Sequence, residues 1–337
     1  GFRGESETEI KVRELSASTI RLIGSGQVIT SVFSVVKELF ENSIDASSTN
    51  VDIKLDDFGL EKIEVSDNGK GVKKSDVPFM TKRHYTSKFS GMESFLTLET
   101  YGFRGEALAS LCSVSDVVVI TKTKEDDVGS SYSFDEEGTI KNSKPSHLGA
   151  GTTVTCRYLF KNLPVRKQYY KTSQRKKDDL RRIEDLLIVF GIIKPNLRIR
   201  LRHGSDVLFQ KLPMPDTKGV LHSVLGRHVA NQLVYREQSL AELQVVLAYL
   251  PKPGTEVKTM SRATSDRTFI VVNDRPVQVK ELIRLLKRYY MNCHACESSR
   301  FPVCYVSIKL PIPDVDVNLD PNKSTVLMRP MVLGYSY

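Results

Sequence analysis

VITSVFSVVKELFENSIDASSTNVDIKLDDFGLEKIEVSDNGKGV, residues 28–72, is the stretch from which the fold can be read. Apolar residues recur at Val28, Val32, Val35, Val36 and Leu39, the period of a helix with one buried face, which predicts a helix over 28–44. VDIKL (51–55) and KIEVSD (62–67) flank a turn at Asp57, Phe58 and Gly59 and alternate with period two, which predicts a hairpin. On the helix, Ser34, Glu38, Glu41, Asn42 and Asp45 fall at i, i+4, i+7, i+8 and i+11, a polar stripe opposite the apolar one. Taken alone, such a stripe is an ordinary solvated face.

Directly after the second strand comes Asp67-Asn68-Gly69-Lys70-Gly71. Two glycines with one spacer let a backbone pass close to a flat ligand while a carboxylate receives an exocyclic amine, though the same residues also build plain turns. Further on, YGFRGEAL (101–108) sets two glycines before a predicted helix start, where unpaired N–H groups and the helix dipole can hold phosphate. GAGTTV (149–154) runs into a strand and supplies hydroxyls, and strands are predicted at 117–121 and 152–156, so the first half is mixed α+β.

A helix predicted over 176–190 leads through Gly191 and Pro195 to strands near 197–201 and 207–211. LPMPDTKG (212–219) collects Pro, Asp and Gly, and is the candidate linker. Beyond it, strands at 243–249, 268–272 and 305–310 and a helix at 279–290 predict a second, smaller α+β unit.

Two units suit a length of 337 residues at about 150 per domain. With 40% hydrophobic and 26% charged residues and no 18-residue apolar run, composition excludes a disordered chain and argues against a membrane-spanning one. Lys plus Arg exceed Asp plus Glu by 49 − 40 = 9, which suits a polyanionic partner such as DNA. The excess concentrates between Lys161 and Arg182, where Arg166, Lys167, Lys171, Arg175, Lys176, Lys177 and Arg181 interleave with Tyr169 and Tyr170. That density favours phosphate backbones without reading sequence, although a solubilising face has the same composition. The five cysteines are odd in number and irregular in spacing, as in a reducing compartment. Cys293-His294-Ala295-Cys296 with Cys304 nearby lacks the second Cys pair of a zinc site.

In this order and spacing, the four loop and helix motifs resemble the nucleotide site of the GHKL ATPases, the superfamily of DNA gyrase, Hsp90, histidine kinases and MutL. KELFENSIDA (37–46), DNGKGV (67–72), YTSK (85–88), GFRGEAL (102–108) and LPVRKQYY (163–170) are similar to the MutL mismatch-repair proteins within it. LFKNLPVRKQ (159–168) with KPSHLGAGTTV (144–154) resembles the eukaryotic postmeiotic segregation branch. The resemblance covers about residues 12–328.

It implies a Bergerat-type α/β sandwich ATPase domain over 12–214 and an α+β transducer domain with the ribosomal-protein-S5-like fold over 215–328, flanked by tails at 1–11 and 329–337. It also implies ATP and Mg²⁺ as cofactors. Glu38 matches the family's general base for the attacking water and Asn42 the Mg²⁺ ligand. Asp67 matches the adenine-reading carboxylate, with Gly69, Gly71 and Thr153 around the base. Thr86, Ser87 and Lys88 match the TSK segment, and Gly102, Phe103, Arg104, Gly105, Glu106, Ala107 and Leu108 match the lid whose amides wrap the triphosphate. VDVNLDPNKSTV (315–326) resembles the loop that sends a lysine to the γ-phosphate, which makes Lys323 its candidate.

For DNA, the expected contacts are Arg166, Lys167, Arg175, Lys176 and Lys177, together with Arg275 in VNDRPV (272–277), a position the family links to DNA. Slow ATP hydrolysis, closure of two N-terminal regions around DNA, a second MutL homologue as heterodimer partner, MutS-type mismatch-recognition proteins and a nuclear location follow from the same resemblance, with no role at a membrane. The competing expectation is a non-catalytic ATP-gated DNA clamp or scaffold, which the presence of Glu38 disfavours. Two positions depart from the pattern: Ser47 stands where most relatives carry glycine, and Gln27 where bacterial members carry glutamate.

Overall fold

The computed structural model describes residues 15–82, 101, 106–239, 245–294 and 299–310, and the backbone at 315–316 and 327–328. The first unit contains helices α1 (Ala17–Val28), α2 (Val32–Asp45), the single turn α3 (Val77–Met80), α4 (Ala107–Val114), α5 (Pro164–Tyr169) and α6 (Ser173–Ile193). Its strands are β1 (Asn50–Asp56), β2 (Lys62–Asp67), β3 (Asp116–Lys122), β4 (Gly129–Phe134), β5 (Ile140–Ser146), β6 (Gly151–Arg157), β7 (Arg198–His203) and β8 (Asp206–Lys211). They form one sheet in the order β5-β4-β3-β6-β2-β1-β7-β8, antiparallel except for the parallel pair β1 and β7.

The predicted hairpin is β1 and β2, with Val51 opposite Asp67 and Leu55 opposite Ile63. Strand alternation sorts the faces: Val51, Ile53 and Leu55 are sealed, whereas Asp52 points the other way and pairs with Arg200 and Arg202 of β7. Against the sealed face pack Val32, Val35, Val36, Leu39 and Phe40 of α2 and Ile183, Leu187 and Phe190 of α6. Each such burial contributes roughly 1.5–3 kcal/mol relative to exposure.

The predicted helix over 28–44 is two helices. Val28 ends α1, and α2 begins at Val32 after a break that turns the axis by 79°. The break is encoded by a capping box: the Ser31 hydroxyl accepts from Ser34 N at 3.1 Å, and Ser34 Oγ accepts from Ser31 N at 3.0 Å. At the other end Ser47 adopts φ 59°, the left-handed conformation for which the family's glycine is suited and which costs serine of order 1–2 kcal/mol.

The second unit has α7 (Thr217–Leu225), α8 (Arg227–Ala230), α9 (Val257–Met260) and α10 (Lys280–Cys293). Strands β9 (Leu233–Ser239), β10 (Val245–Pro251), β12 (Thr268–Val272), β13 (Arg275–Pro276) and β15 (Cys304–Lys309) make a sheet in the order β13-β12-β15-β10-β9. The short pairs β11 (Ser261–Arg262) with β14 (Phe301–Pro302) and β16 (Val315–Asp316) with β17 (Leu327–Met328) lie apart from it. All of TFIVV in β12 is buried because both faces are covered. Phe269 and Val271 meet α7, whereas Ile270 and Val272 belong to a cluster with Leu282, Ile283 and Leu286 of α10.

LPMPDTKG is a connection only in its first half: Asp216 caps α7 by accepting Gly219 N at 2.7 Å. Ile188 and Ile192 of α6 enter the second core beside Val220 and Phe269, and Arg267 pairs with Asp185 at 2.9 Å. The two cores thus meet along α6. Cys304 is buried in β15 and Cys293 is exposed at the end of α10, while Cys296 lies outside the described residues. Among the described residues no single helix is long and apolar enough to cross a membrane.

Candidate nucleotide site

Helix α2 does not present its polar stripe to bulk water. Burial splits the stripe: Ser34 and Glu41 are 4% and 3% exposed, whereas Glu38 and Asn42, one turn apart, are half-buried. The Glu41 carboxylate is held by Lys37 at 2.8 Å, one turn back on the same helix. Glu38 and Asn42 therefore stand together at the rim of a polar, partly enclosed face, where an attacking water and a cation could both be handled.

Beside them, β2 ends at Asp67. Its carboxylate accepts Gly69 N–H and the Ser43 hydroxyl, each at 2.8 Å, and burial outweighs these donors and pushes its pKa above the usual carboxylate value. One α2 residue thus fixes the orientation of the carboxylate on the neighbouring strand. Nothing in the sequence signals Ser43, because its partner lies 24 residues further along the chain. Thr153 of β6, opposite Ser66 in the ladder, shares a 2.8 Å hydrogen bond with the Ser66 hydroxyl.

The glycines of DNGKG answer to the protein itself. A Cβ on Gly69 would stand 2.7 Å from Ala46 Cβ and O, and one on Gly71, at φ 73°, 2.2 Å from Lys122 O. Both clashes are with backbone, so the loop needs glycine to lie against the end of α2 and the edge of β3. The Thr121 hydroxyl holds that loop by accepting Val72 N–H at 2.8 Å. Asn68 ties it from the other side by accepting Thr49 and Asn50 N–H at 2.9 Å each. Glu106, Ala107 and Leu108 form the half-buried start of α4, where the Glu106 side chain makes no cap bond to the first turn. Thr86, Ser87, Lys88, Gly102, Phe103, Arg104, Gly105 and Lys323 lie outside the described residues.

The candidate DNA contacts divide. Lys167, Arg175 and Lys177 are exposed on α5 and α6, with Arg175 stacked 3.8 Å from the Tyr169 ring centroid. Arg166 is turned inward, where it donates to Thr30 O and Gly26 O at 2.6 Å each and so secures the break between α1 and α2. Lys176 is half-buried against Asp57 at 2.6 Å. Arg275 departs most from expectation: at 5% exposure it is an interior residue, with Nη1 donating to Tyr101 O at 3.3 Å. A buried guanidinium presents no charge to a phosphate backbone in this arrangement.

A mixed sheet with helices on one face, an acid and an amide on a half-buried helix, and a carboxylate at the following strand end define the nucleotide-binding fold of the GHKL class. Residues 29–152 match the histidine kinase-, DNA gyrase B- and HSP90-like ATPase family, and residues 221–331 match the C-terminal domain of DNA mismatch repair protein. A crystal structure of the N-terminal domain of a DNA repair protein is 30% identical, with a TM-score of 0.77 and 92% of each chain covered. PMS1 protein homolog 1 of Homo sapiens is 47% identical over 320 residues, 94% of this chain and 34% of that protein. The ADP-complexed MutL ATPase domain of Aquifex aeolicus shares the fold at 22% identity, with a TM-score of 0.57 over 83% of this chain and 91% of that one. The chain belongs to the MutL-type DNA mismatch-repair family and spans about a third of the length of its human relative.

Proposed function

We propose that this chain binds ATP with Mg²⁺ and hydrolyses it slowly, as the N-terminal ATPase region of a mismatch-repair protein whose nucleotide-driven closure couples to DNA binding. The observation that carries this is the placement of Glu38 and Asn42 one turn apart, both half-buried, on a helix whose Lys37 and Glu41 are sealed as a pair. Glu38 takes the proton of the water that attacks the γ-phosphate. Asn42 offers a hard amide oxygen of the kind Mg²⁺ takes, and would hold the ion beside the general base. When bound, Mg²⁺ neutralises charge on the phosphates. Asp67 accepts the adenine amine, with Gly69, Gly71 and Thr153 bounding the base, and the start of α4 at Glu106, Ala107 and Leu108 offers N–H groups to phosphate.

Thr86, Ser87, Lys88, the lid residues 102–105 and Lys323 complete the triphosphate site in this proposal, with 12–214 as the ATPase domain and 215–328 as the transducer. Lys167, Arg175 and Lys177 supply sequence-independent DNA contact. A second MutL homologue and MutS-type proteins are the partners, and the nucleus is the compartment.

The test is Mg²⁺-dependent hydrolysis by this chain beside Glu38→Ala, with ATP affinity of both taken from equilibrium titration. The parent turns over while the mutant binds comparably and loses roughly 10²–10⁴-fold in kcat. Binding by both with turnover by neither would replace the enzyme with an ATP-gated clamp, and no binding by either would sink the pocket assignment.

A further inference from the structure

The interior position of Arg275 calls for a role other than DNA contact. It follows Asn273 and Asp274, both at positive φ (48° and 61°), in the two-residue turn that joins β12 to β13, with Val272 opposite Arg275. The turn is held from behind: Asn273 accepts Leu310 N–H at 2.9 Å and donates to Leu310 O at 3.1 Å, and Lys309 pairs with Asp274 at 2.6 Å. So the second unit presents Arg275 on a rigid hairpin aimed into the first.

What it meets there is Tyr101. The guanidinium carbon lies 5.1 Å from the ring centroid, and Nη1 donates to the Tyr101 carbonyl. The Tyr101 hydroxyl returns a 2.7 Å hydrogen bond to Asp274 O, its ring packs edge-on against Phe190 of α6, and its N–H donates to Asp45 at 2.8 Å. Asp45 is the last residue of α2, one turn beyond Asn42 and two beyond Glu38. The charges of Glu41, Asp45 and Glu38 all act on the Arg275 guanidinium.

We propose that Arg275 is a positioning residue for the nucleotide site, supplied by the second unit, which sets the rotation of α2 through Tyr101 and Asp45 and thereby the placement of Glu38 and Asn42. The proposal rests on the ATPase assignment and extends it: the first unit alone lacks the anchor that aligns its own base. A helix released at one end turns Glu38 and Asn42 together, and misplacement of about 1 Å costs up to ~10²-fold in rate. Asp67 and Thr153, carried by the sheet, keep their positions.

The experiment measures kcat, KM, equilibrium ATP affinity with and without Mg²⁺, and thermal melting for the parent, Arg275→Ala, Arg275→Lys and Tyr101→Phe, all without DNA. Arg275→Ala lowers kcat by roughly 10–10²-fold and removes most of the Mg²⁺-dependent gain in ATP affinity, while Mg²⁺-free affinity stays within about 3-fold. Arg275→Lys recovers part of both because it keeps the charge and loses the fork. Should Arg275→Ala melt out, the lysine and phenylalanine variants carry the test through smaller losses of the same pair of quantities.

Parent values of kcat and of the Mg²⁺ effect in folded variants, with loss confined to DNA affinity, would overturn the positioning role. A parent that binds ATP without turnover refutes hydrolysis and leaves the Mg²⁺ effect to decide the role of Arg275. A parent that binds no nucleotide overturns both.

Discussion

Two charged helical surfaces, the acidic inner stripe of α2 and the basic outer run on α5 and α6, differ in sign and in physics. On α2, Lys37 and Glu41 are 7% and 3% exposed and pair at 2.8 Å. On the outer surface Lys167, Lys171, Arg175, Lys177 and Arg181 stand in solvent. A charge withdrawn from water must be compensated, so it fixes geometry, whereas a charge left in water costs and fixes little.

The largest effect expected from this contrast is on stability. Glu41→Ala leaves the Lys37 ammonium buried without its partner and lowers the unfolding free energy by about 3–5 kcal/mol in denaturant titration. The double change to Lys37→Met with Glu41→Leu regains part of it, because it removes the stranded ammonium but not the loss of the Glu41 charge at Arg275. A loss under about 1 kcal/mol for Glu41→Ala would mean that the pair is hydrated and the contrast false.

An intermediate effect is expected where site chemistry and stability oppose each other. In Asp67→Asn, the amide oxygen can still accept Gly69 N–H and the amide nitrogen can donate to Ser43 Oγ, so folding free energy changes by less than about 1 kcal/mol. ATP affinity falls roughly 10–100-fold because the charged acceptor for the adenine amine is gone. In the parent, the raised Asp67 pKa means that nucleotide binding weakens, as pH falls, earlier than for an ordinary carboxylate. The sign for folding is the reverse. The native state holds this proton more tightly than the unfolded chain, so the contribution of Asp67 to stability declines as pH rises from the normal carboxylate range through the raised value. Affinity that is flat with pH in the parent, or unchanged in Asp67→Asn, would remove Asp67 from the site.

The smallest effect belongs to the outer surface. Lys167→Ala and Lys177→Ala leave the melting temperature and DNA-free hydrolysis unchanged, and each lowers the slope of log affinity for duplex DNA against log salt by about 0.9. An unaltered slope in the double variant would assign the run to solubility.

The hairpin of β1 and β2 is legible because alternation is local, and β12 because TFIVV is a short run of β-branched and aromatic residues. Periodicity overran the start of α2 because apolar spacing continues across the Ser31 capping box into Val28. Helix α1 is not legible in the sequence, since ASTIRLIGSGQV carries two glycines and a weak apolar pattern, nor is β5, since IKNSKPS is largely exposed with no alternation. At the site, Glu38, Asn42, Asp67 and Thr153 stood out by motif, whereas Ser43, Thr121 and Tyr101 act through partners 24, 49 and 56 residues away.

The amino-acid order by itself determined the two α+β units, the hairpin leading into DNGKG, the pairing of Glu38 with Asn42 by helical spacing, and the family. Tertiary structure alone decided which polar residues lost their water. It took Arg275 and Arg166 out of the basic surface, closed Lys37 onto Glu41, and brought Tyr101 between α2 and the turn of Asn273 and Asp274. Local spacing sets which side chains share a face, but desolvation depends on what packs against that face, and here the packing elements come from distant parts of the chain.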